Sequence, residues 1–239
     1  MFDHVTIRVS DRSASERFYT TVLGTLGLER QSDEYAEWGD FSLAAASEEK
    51  PVTRRLHVAF FAASREEVDR FWDVGTHAGY DEDGAPGARP EYSEDYYGAF
   101  LLDPDGNSVE AVHFGEARTR GSIDHLWIRV EDVEESKQFY ETIAPYGRFR
   151  LNTDTPDRAQ FVGENGSFSV VVGKPTENLH FAFPSNDNAT VDAFHAEAVR
   201  LGYRDDGPPG ERSIYHPGYY GAFVLDPDGN SVEVVNHNR

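Results

Sequence analysis

The sequence predicts an α+β protein assembled from four βαβββ modules, and three observations carry that expectation. A long stretch of the chain recurs without a gap, strand and helix periodicities alternate in the same order in both copies, and one five-residue turn returns at matching places.

The repeat comes first. Gly84 to Val112 lies over Gly207 to Val235 with 20 of 29 positions identical. Upstream, HVTIRV from His4 to Val9 matches HLWIRV from His125 to Val130, and Phe18-Tyr19 matches Phe139-Tyr140. The offset is 121 residues between His4 and His125 but 123 between Glu110 and Glu233, so two residues are inserted in between, as loops tolerate. The halves are expected as domains over residues 1–117 and 122–239, with Arg118 to Gly121 as the linker.

Within the first half, Val5, Ile7 and Val9 alternate as a strand does, and Asp11 or Ser13 can cap a helix running to Leu23. Phe41 to Ala46 reads as a later strand, Leu56 to Phe61 opens the second module, and Arg65 to Ala78 reads as its helix. Phe100 to Leu102 and Ser108 to Val112 flank Asp103-Pro104-Asp105-Gly106-Asn107. Pro presets one dihedral there, and Gly and Asn accept positive φ, which predicts a tight hairpin. Asp226 to Asn230 repeats it. A module of about 60 residues buries too little to stand alone, so the modules should pair into curved mixed sheets around cavities.

Composition narrows the partners. Against 22 Lys and Arg stand 43 Asp and Glu, a formal charge of -21 whose field repels phosphate backbones and anionic headgroups. No nucleic-acid or membrane partner is expected. The absence of Cys removes disulfides, thiolate zinc sites and a cysteine nucleophile, and fits a reducing compartment. No stretch approaches the roughly 18 apolar residues of a membrane span, and no basic flank precedes an apolar run near Met1. The expectation is a cytoplasmic protein with a small-molecule partner; a homodimer is compatible with the sequence.

Four histidines stand at matched strand positions, His4 and His57 in one half, His125 and His180 in the other, and each half ends in a matched acid, Glu110 or Glu233. Two imidazoles and one carboxylate suffice to hold a divalent metal while leaving positions open. Pairing of modules within halves would group His4, His57 and Glu110, and His125, His180 and Glu233. Pairing across halves would instead join His4 to His180 and Glu233. A Glu inside the run Val109-Glu110-Ala111-Val112 needs a cation if buried, and Arg8 or Arg129 is the alternative to a metal. Period two places Arg8 on the face of His4, and Trp127 and Arg129 on that of His125. Tyr220 and Phe223 belong to an aromatic set able to line a pocket for a flat ligand.

Taken together, the strand-opening histidines, the Phe-Tyr of each first helix and the Asp-Pro-Asp-Gly-Asn-Ser-Val-Glu hairpins resemble the vicinal oxygen chelate superfamily over nearly the whole chain. That superfamily includes glyoxalase I, extradiol dioxygenases, fosfomycin-resistance transferases and metal-free bleomycin-resistance proteins. The resemblance implies two tandem glyoxalase-like domains. Glyoxalases add a fourth ligand, a Glu on the last strand of the first module of a pair, whereas Phe41 to Ala46 and Phe168 to Val172 contain no acid. Extradiol dioxygenases use two His and one Glu. Ile214, His216, Asp226, Pro227, Gly229 and Glu233 follow their signature, with Phe223 in place of its Tyr and Ser93 in place of His216 in the first half. The resemblance thus implies a metal-dependent oxidoreductase acting on a small oxygenated, aromatic substrate, with Fe(II) favoured over Mn(II), Zn(II) or Ni(II) and His216 as a catalytic proton-transfer group. The alternatives it implies are a metal-free protein sequestering an antibiotic or hydrophobic metabolite, and a lyase or transferase of the same superfamily.

Overall fold

A computed structural model describes residues 1–31, 36–115 and 121–239. The first quarter of the chain contributes β1 (His4–Val9), α1 (Arg12–Leu23), β2 (Ala36–Trp38) and β3 (Phe41–Ala45). The second contributes β4 (His57–Phe61), α2 (Arg65–His77), β5 (Glu82–Ala88), β6 (Tyr97–Leu102) and β7 (Ser108–His113). In the third lie β8 (Ile123–Val130), α3 (Val133–Gly147), β9 (Arg150–Thr155), β10 (Arg158–Gly163) and β11 (Gly166–Val172). The fourth has β12 (His180–Pro184), α4 (Asn188–Arg200), β13 (Asp205–Glu211), β14 (Tyr220–Leu225) and β15 (Ser231–Asn236). The expected strand–helix–strands order recurs four times; among the described residues the first module has two strands after its helix. Residues 118–120 of the expected linker lie outside the described residues.

Side-chain caps set the helix starts. Asp11, not Ser13, accepts the amide of Ala14, while Ser64, Asp132 and Asp187 do the same for α2, α3 and α4, each satisfying an orphan donor of the first turn. β5 and β13 escape the hydrophobic pattern. Their sequences, EDGAPGA and DDGPPGE, alternate no apolar residues, yet they pair antiparallel with β6 and β14 through irregular registers.

By contacts the chain divides into two compact units, Met1–Val5 with Ile128–Arg239, and Thr6–Trp127. These cut inside β1 and β8, unlike sequence halves drawn at 117 and 122. In the unit Thr6–Trp127 the strand order runs β5-β6-β7-β4-β8, with β4 and β7 parallel and the other neighbours antiparallel. The other unit orders β13-β14-β15-β12-β1, with β12 and β15 parallel. These mixed sheets are open.

Each unit has its own aromatic core. Phe18, Tyr19, Trp38, Phe41, Phe60 and Phe71 are fully buried in one, and Phe139, Tyr140, Phe161, Phe168, Phe181 and Phe183 in the other. The Phe-Tyr motif has a second task. Tyr19 donates its hydroxyl to Asp103 at 2.9 Å and Tyr140 to Asp226 at 2.8 Å, tying the first helix of one module to the hairpin of another. Gly106 takes the positive φ of the turn at 81°. Asn107, expected to share that role, is instead buried and accepts the Leu56 amide while donating to the Thr53 carbonyl. Its side chain bolts the hairpin to the start of β4.

Burial pushes the Asp226 carboxyl up to about 6, outweighing the hydrogen bonds from Asn230 and Tyr140 that pull it down. A carboxyl raised on folding favours the folded state fully below about pH 4, and that contribution is lost as pH rises through about 6. Carbon-detected NMR is therefore expected to follow Asp226 titrating near 6. Tyr140→Phe should move that titration higher and cost about 1–3 kcal/mol, because a buried acceptor loses its donor. A midpoint in the ordinary carboxylate range would refute the assignment.

Candidate metal centres

The sheet order brings each triad together from both sequence halves. Next to the parallel pair β4 and β7 runs β8, and the register sets Ala59 opposite both Glu110 and His125 while His57 lies opposite Ser108 and Trp127. Side chains on one face of neighbouring strands thereby converge. His57 Nε2 lies 3.0 Å and His125 Nε2 3.5 Å from Glu110 Oε2. In the other unit Ala182 lies opposite Glu233, and the Asp3 amide donates to the Ala182 carbonyl, which sets β1 beside β12. His180 Nε2 and His4 Nε2 lie 3.2 Å and 3.5 Å from Glu233 Oε2, and 3.1 Å from each other. Of the two groupings the sequence allowed, the one across halves is the one found. His57, Glu110 and His125 are all buried, whereas His4 and His180 are half-buried beside a buried Glu233.

The next layer of residues decides what these atoms can do. Asp3 lies 2.9 Å from His4 Nδ1, and an ionised carboxylate only accepts, so this nitrogen carries the proton. The Ser231 hydroxyl donates to Asp206 at 2.7 Å and so accepts from His180 Nδ1 at 3.2 Å. In the neutral rings both Nε2 atoms then carry lone pairs. They face Glu233 Oε2, a buried oxygen with no hydrogen-bond donor among the described residues. Three acceptors aimed at one point repel one another unless a cation stands between them, which is the donor set of a divalent-metal site. The residues present fit such an ion.

Tyr219 donates to the second oxygen of Glu233, and Tyr96 to that of Glu110, each at 2.7 Å. Burial, then the adjacent carboxylate, drives both phenols far above their usual range, so they stay protonated donors. Asp124 holds His125 Nδ1 at 2.8 Å as Asp3 holds His4. For Asp3, burial acts to raise the carboxyl, but hydrogen bonds and charge from His4 and His237 win and keep it below the ordinary value. The sequence signals for these partners are the repeated Asp-His dipeptide and the Tyr-Tyr-Gly before each β6 or β14 strand.

Of the residues expected near a ligand, Trp127 packs 5.8 Å from the His57 ring and 5.8 Å from Tyr92. Phe223 lies 5.9 Å from His180, on the face of Glu233, beneath the Arg212 guanidinium. Tyr220 is a correction. Period two turns it to the opposite face, where its hydroxyl bonds Asp192 on α4. Histidine Nε2 atoms lie within 3.5 Å of Glu110 Oε2 and of Glu233 Oε2. Arg8 and Arg129 are half-buried, with backbone amides on Thr53 and Thr176. His216 does not reach the triad directly. One ring nitrogen bonds the Pro217 carbonyl and the other His237, which leads through Asp3 to His4.

Comparison with known proteins gives these centres a setting. Residues 1–111 match the family model described as Glyoxalase/Bleomycin resistance protein/Dioxygenase superfamily, a stretch holding His4 of one centre and His57 and Glu110 of the other. No curated protein matches the sequence. Among solved structures, glyoxalase I from Zea mays is similar at 21% identity and TM-score 0.69, over 99% of this chain and 92% of that one. A Bacillus subtilis protein described as a candidate dioxygenase is similar at 13% identity and TM-score 0.66, over 100% of this chain and 85% of that one. Both similarities concern the fold.

Proposed function

Residues 1–111 belong to the Glyoxalase/Bleomycin resistance protein/Dioxygenase superfamily, and on that premise we propose that the chain is a metal-dependent enzyme acting on a small oxygenated substrate. One observation carries the reading: His4 Nε2, His180 Nε2 and the Glu233 oxygen that Tyr219 leaves free converge on one point, each with a lone pair to offer when the rings are neutral. His4, His180 and Glu233 would hold one divalent ion, and His57, His125 and Glu110 another. Such an ion supplies Lewis-acid activation of a substrate oxygen and, as Fe(II), the handling of O2.

The protein's own residues supply the rest. Asp3 and Asp124 keep their histidines in the ligating tautomer, and Tyr96 and Tyr219 orient the carboxylates. Trp127 and Phe100, both packed on His57, give the enclosed centre an apolar wall suited to a flat ring. An extradiol-type dioxygenase is the most concrete form of this proposal, with Fe(II) favoured and no acid on β3 or β11 to complete a glyoxalase set.

Elemental analysis of protein purified without chelator is expected to find metal at up to one ion per triad, with O2 uptake on addition of catechols after Fe(II) loading. Absence of metal even after anaerobic reconstitution, with tight ligand binding that chelators leave intact, would replace this reading by the sequestering one.

A further inference from the structure

The Gly- and Pro-rich strands β5 and β13 bury no apolar side chain, yet each builds the same arrangement beside a metal centre. The register of β13 and β14 sets Gly207 opposite Phe223 and Gly210 opposite Gly221, and the Arg212 amide then donates to the Tyr219 carbonyl at 2.7 Å. Residues opposite one another on antiparallel strands share a face. Gly207, Gly210 and Arg212 therefore lie on the face where Tyr219 bonds Glu233 and Phe223 packs on His180. A Cβ on Gly207 would come within 2.9 Å of the Phe223 ring, and one on Gly210 within 2.8 Å of Arg212 Nη1. The two glycines make room for a guanidinium stacked over Phe223, 5.6 Å from the ring centre. The first half repeats this: Gly84 clears Phe100, Gly87 clears Arg89, and Arg89 covers Phe100 at 5.5 Å beside His57.

The charge of these arginines has no partner within the chain. Arg212 donates to the Pro208 and Glu211 carbonyls and Arg89 to the Ala85 and Ala88 carbonyls, which leaves three of the five N–H groups on each. Among the described residues neither makes an ion pair with a carboxylate, although acids outnumber bases by 43 to 22 in this chain. The backbone bonds fix where the guanidinium lies and leave its charge to whatever occupies that face. Around it the two copies have diverged, with Ser93 for His216 and Phe114 for His237, while the two glycines, the arginine and the phenylalanine are the same in both.

We propose that Arg89 and Arg212 are specificity-determining residues, each holding a carboxylate of a ligand whose other oxygens meet the neighbouring metal triad. The inference rests on the metal-centre reading for one end of that ligand and names the chemistry of its other end. A planar guanidinium with N–H groups to spare pairs with a carboxylate through two parallel bonds. The phenylalanine beneath it offers a flat apolar surface to the ring that joins the two ends. A net charge of -21 repels anions at a distance, so an acid needs such a local cation to be held.

The test is calorimetric binding of protocatechuate, its methyl ester and catechol to the full chain loaded with Zn(II), which is redox-inert. The acid is expected to bind about 10- to 100-fold tighter than the ester, the worth of a hydrogen bond to a charged group, and added salt should narrow the gap. Arg89→Gln combined with Arg212→Gln should bring the acid down to the level of the ester. Gly87→Ala combined with Gly210→Ala crowds each Nη1 without removing a charge and should close part of the gap; it decides the matter should the arginine variant fail to fold. With Zn(II) bound, an acid no tighter than the ester in the parent overturns the inference and leaves the metal reading standing. So does an ester weakened as much as the acid in the arginine variant, which would make the arginines clamps on their own strands. A parent that takes up no Zn(II) overturns the metal reading instead. The same titrations of the metal-free chain then decide the arginines: a preference for the acid that the arginine variant loses upholds them, and no preference refutes them.

Discussion

Glu233→Gln is expected to lower divalent-metal affinity at the His4 and His180 centre by at least about 100-fold, the upper end of what even an outer partner costs, while the His57 and His125 centre stays loaded. The amide matches the carboxylate in shape and keeps an oxygen for the Tyr219 hydroxyl. Its nitrogen brings two N–H donors to the place where the two Nε2 lone pairs already converge. The same change that removes the ligand also relieves the repulsion, so the metal-free variant should melt higher than the metal-free parent, by an amount on the order of 1 kcal/mol. Calorimetric titration and melting in chelator check both halves of the result. Stoichiometric metal retained at both centres would sink the assignment of Glu233.

Gly221→Ala should have the second large effect. A methyl group there would overlap the Glu233 oxygen that Tyr219 holds and come within 3.2 Å of the Tyr219 ring, and Gly98 stands in the same relation to Glu110 and Tyr96. Neither the tyrosine nor the glutamate can withdraw without breaking their bond. The expected outcome is loss of metal at one centre together with about 1–3 kcal/mol of stability, the usual cost of overpacking. Gly24→Ala is the control. Its φ is -58° and nothing lies within 4 Å of an added Cβ, so it should be neutral or stabilising and leave metal content alone. Wild-type metal content in Gly221→Ala would mean that the Tyr219 and Glu233 contact is dispensable.

Much of the fold was legible because duplication prints every signal twice. The helices over α1 and α2, the strands β1, β3 and β4 and the two hairpins follow from periodicity and turn chemistry within a residue or so. β5 and β13 were not legible, since Gly and Pro fill them and pairing, not burial, makes them strands. The six ligand candidates could be named from matched positions, but their grouping could not. Two halves with ligands at matched positions satisfy either pairing equally in one dimension, and only the placement of β1 beside β12 and β8 beside β4 separates the cases. Tyr220 and Tyr219 differ for a simpler reason: neighbouring tyrosines on a strand face opposite ways, and Tyr219 is the one aimed at the acid.

The division of β1 between units has a consequence for the nascent chain. His4 is made 229 positions ahead of Glu233, so at about 5–20 residues per second the ribosome delivers its partner roughly 10–50 s later. The unit Thr6–Trp127 has all three of its ligands by the time His125 emerges and can close while synthesis continues. The other centre stays open until translation is nearly finished, with the β12 side of β1 unpaired in the meantime. During that interval a leading strand from a neighbouring polysome chain can take the same place, so strand exchange between copies is the misassembly expected when synthesis is crowded.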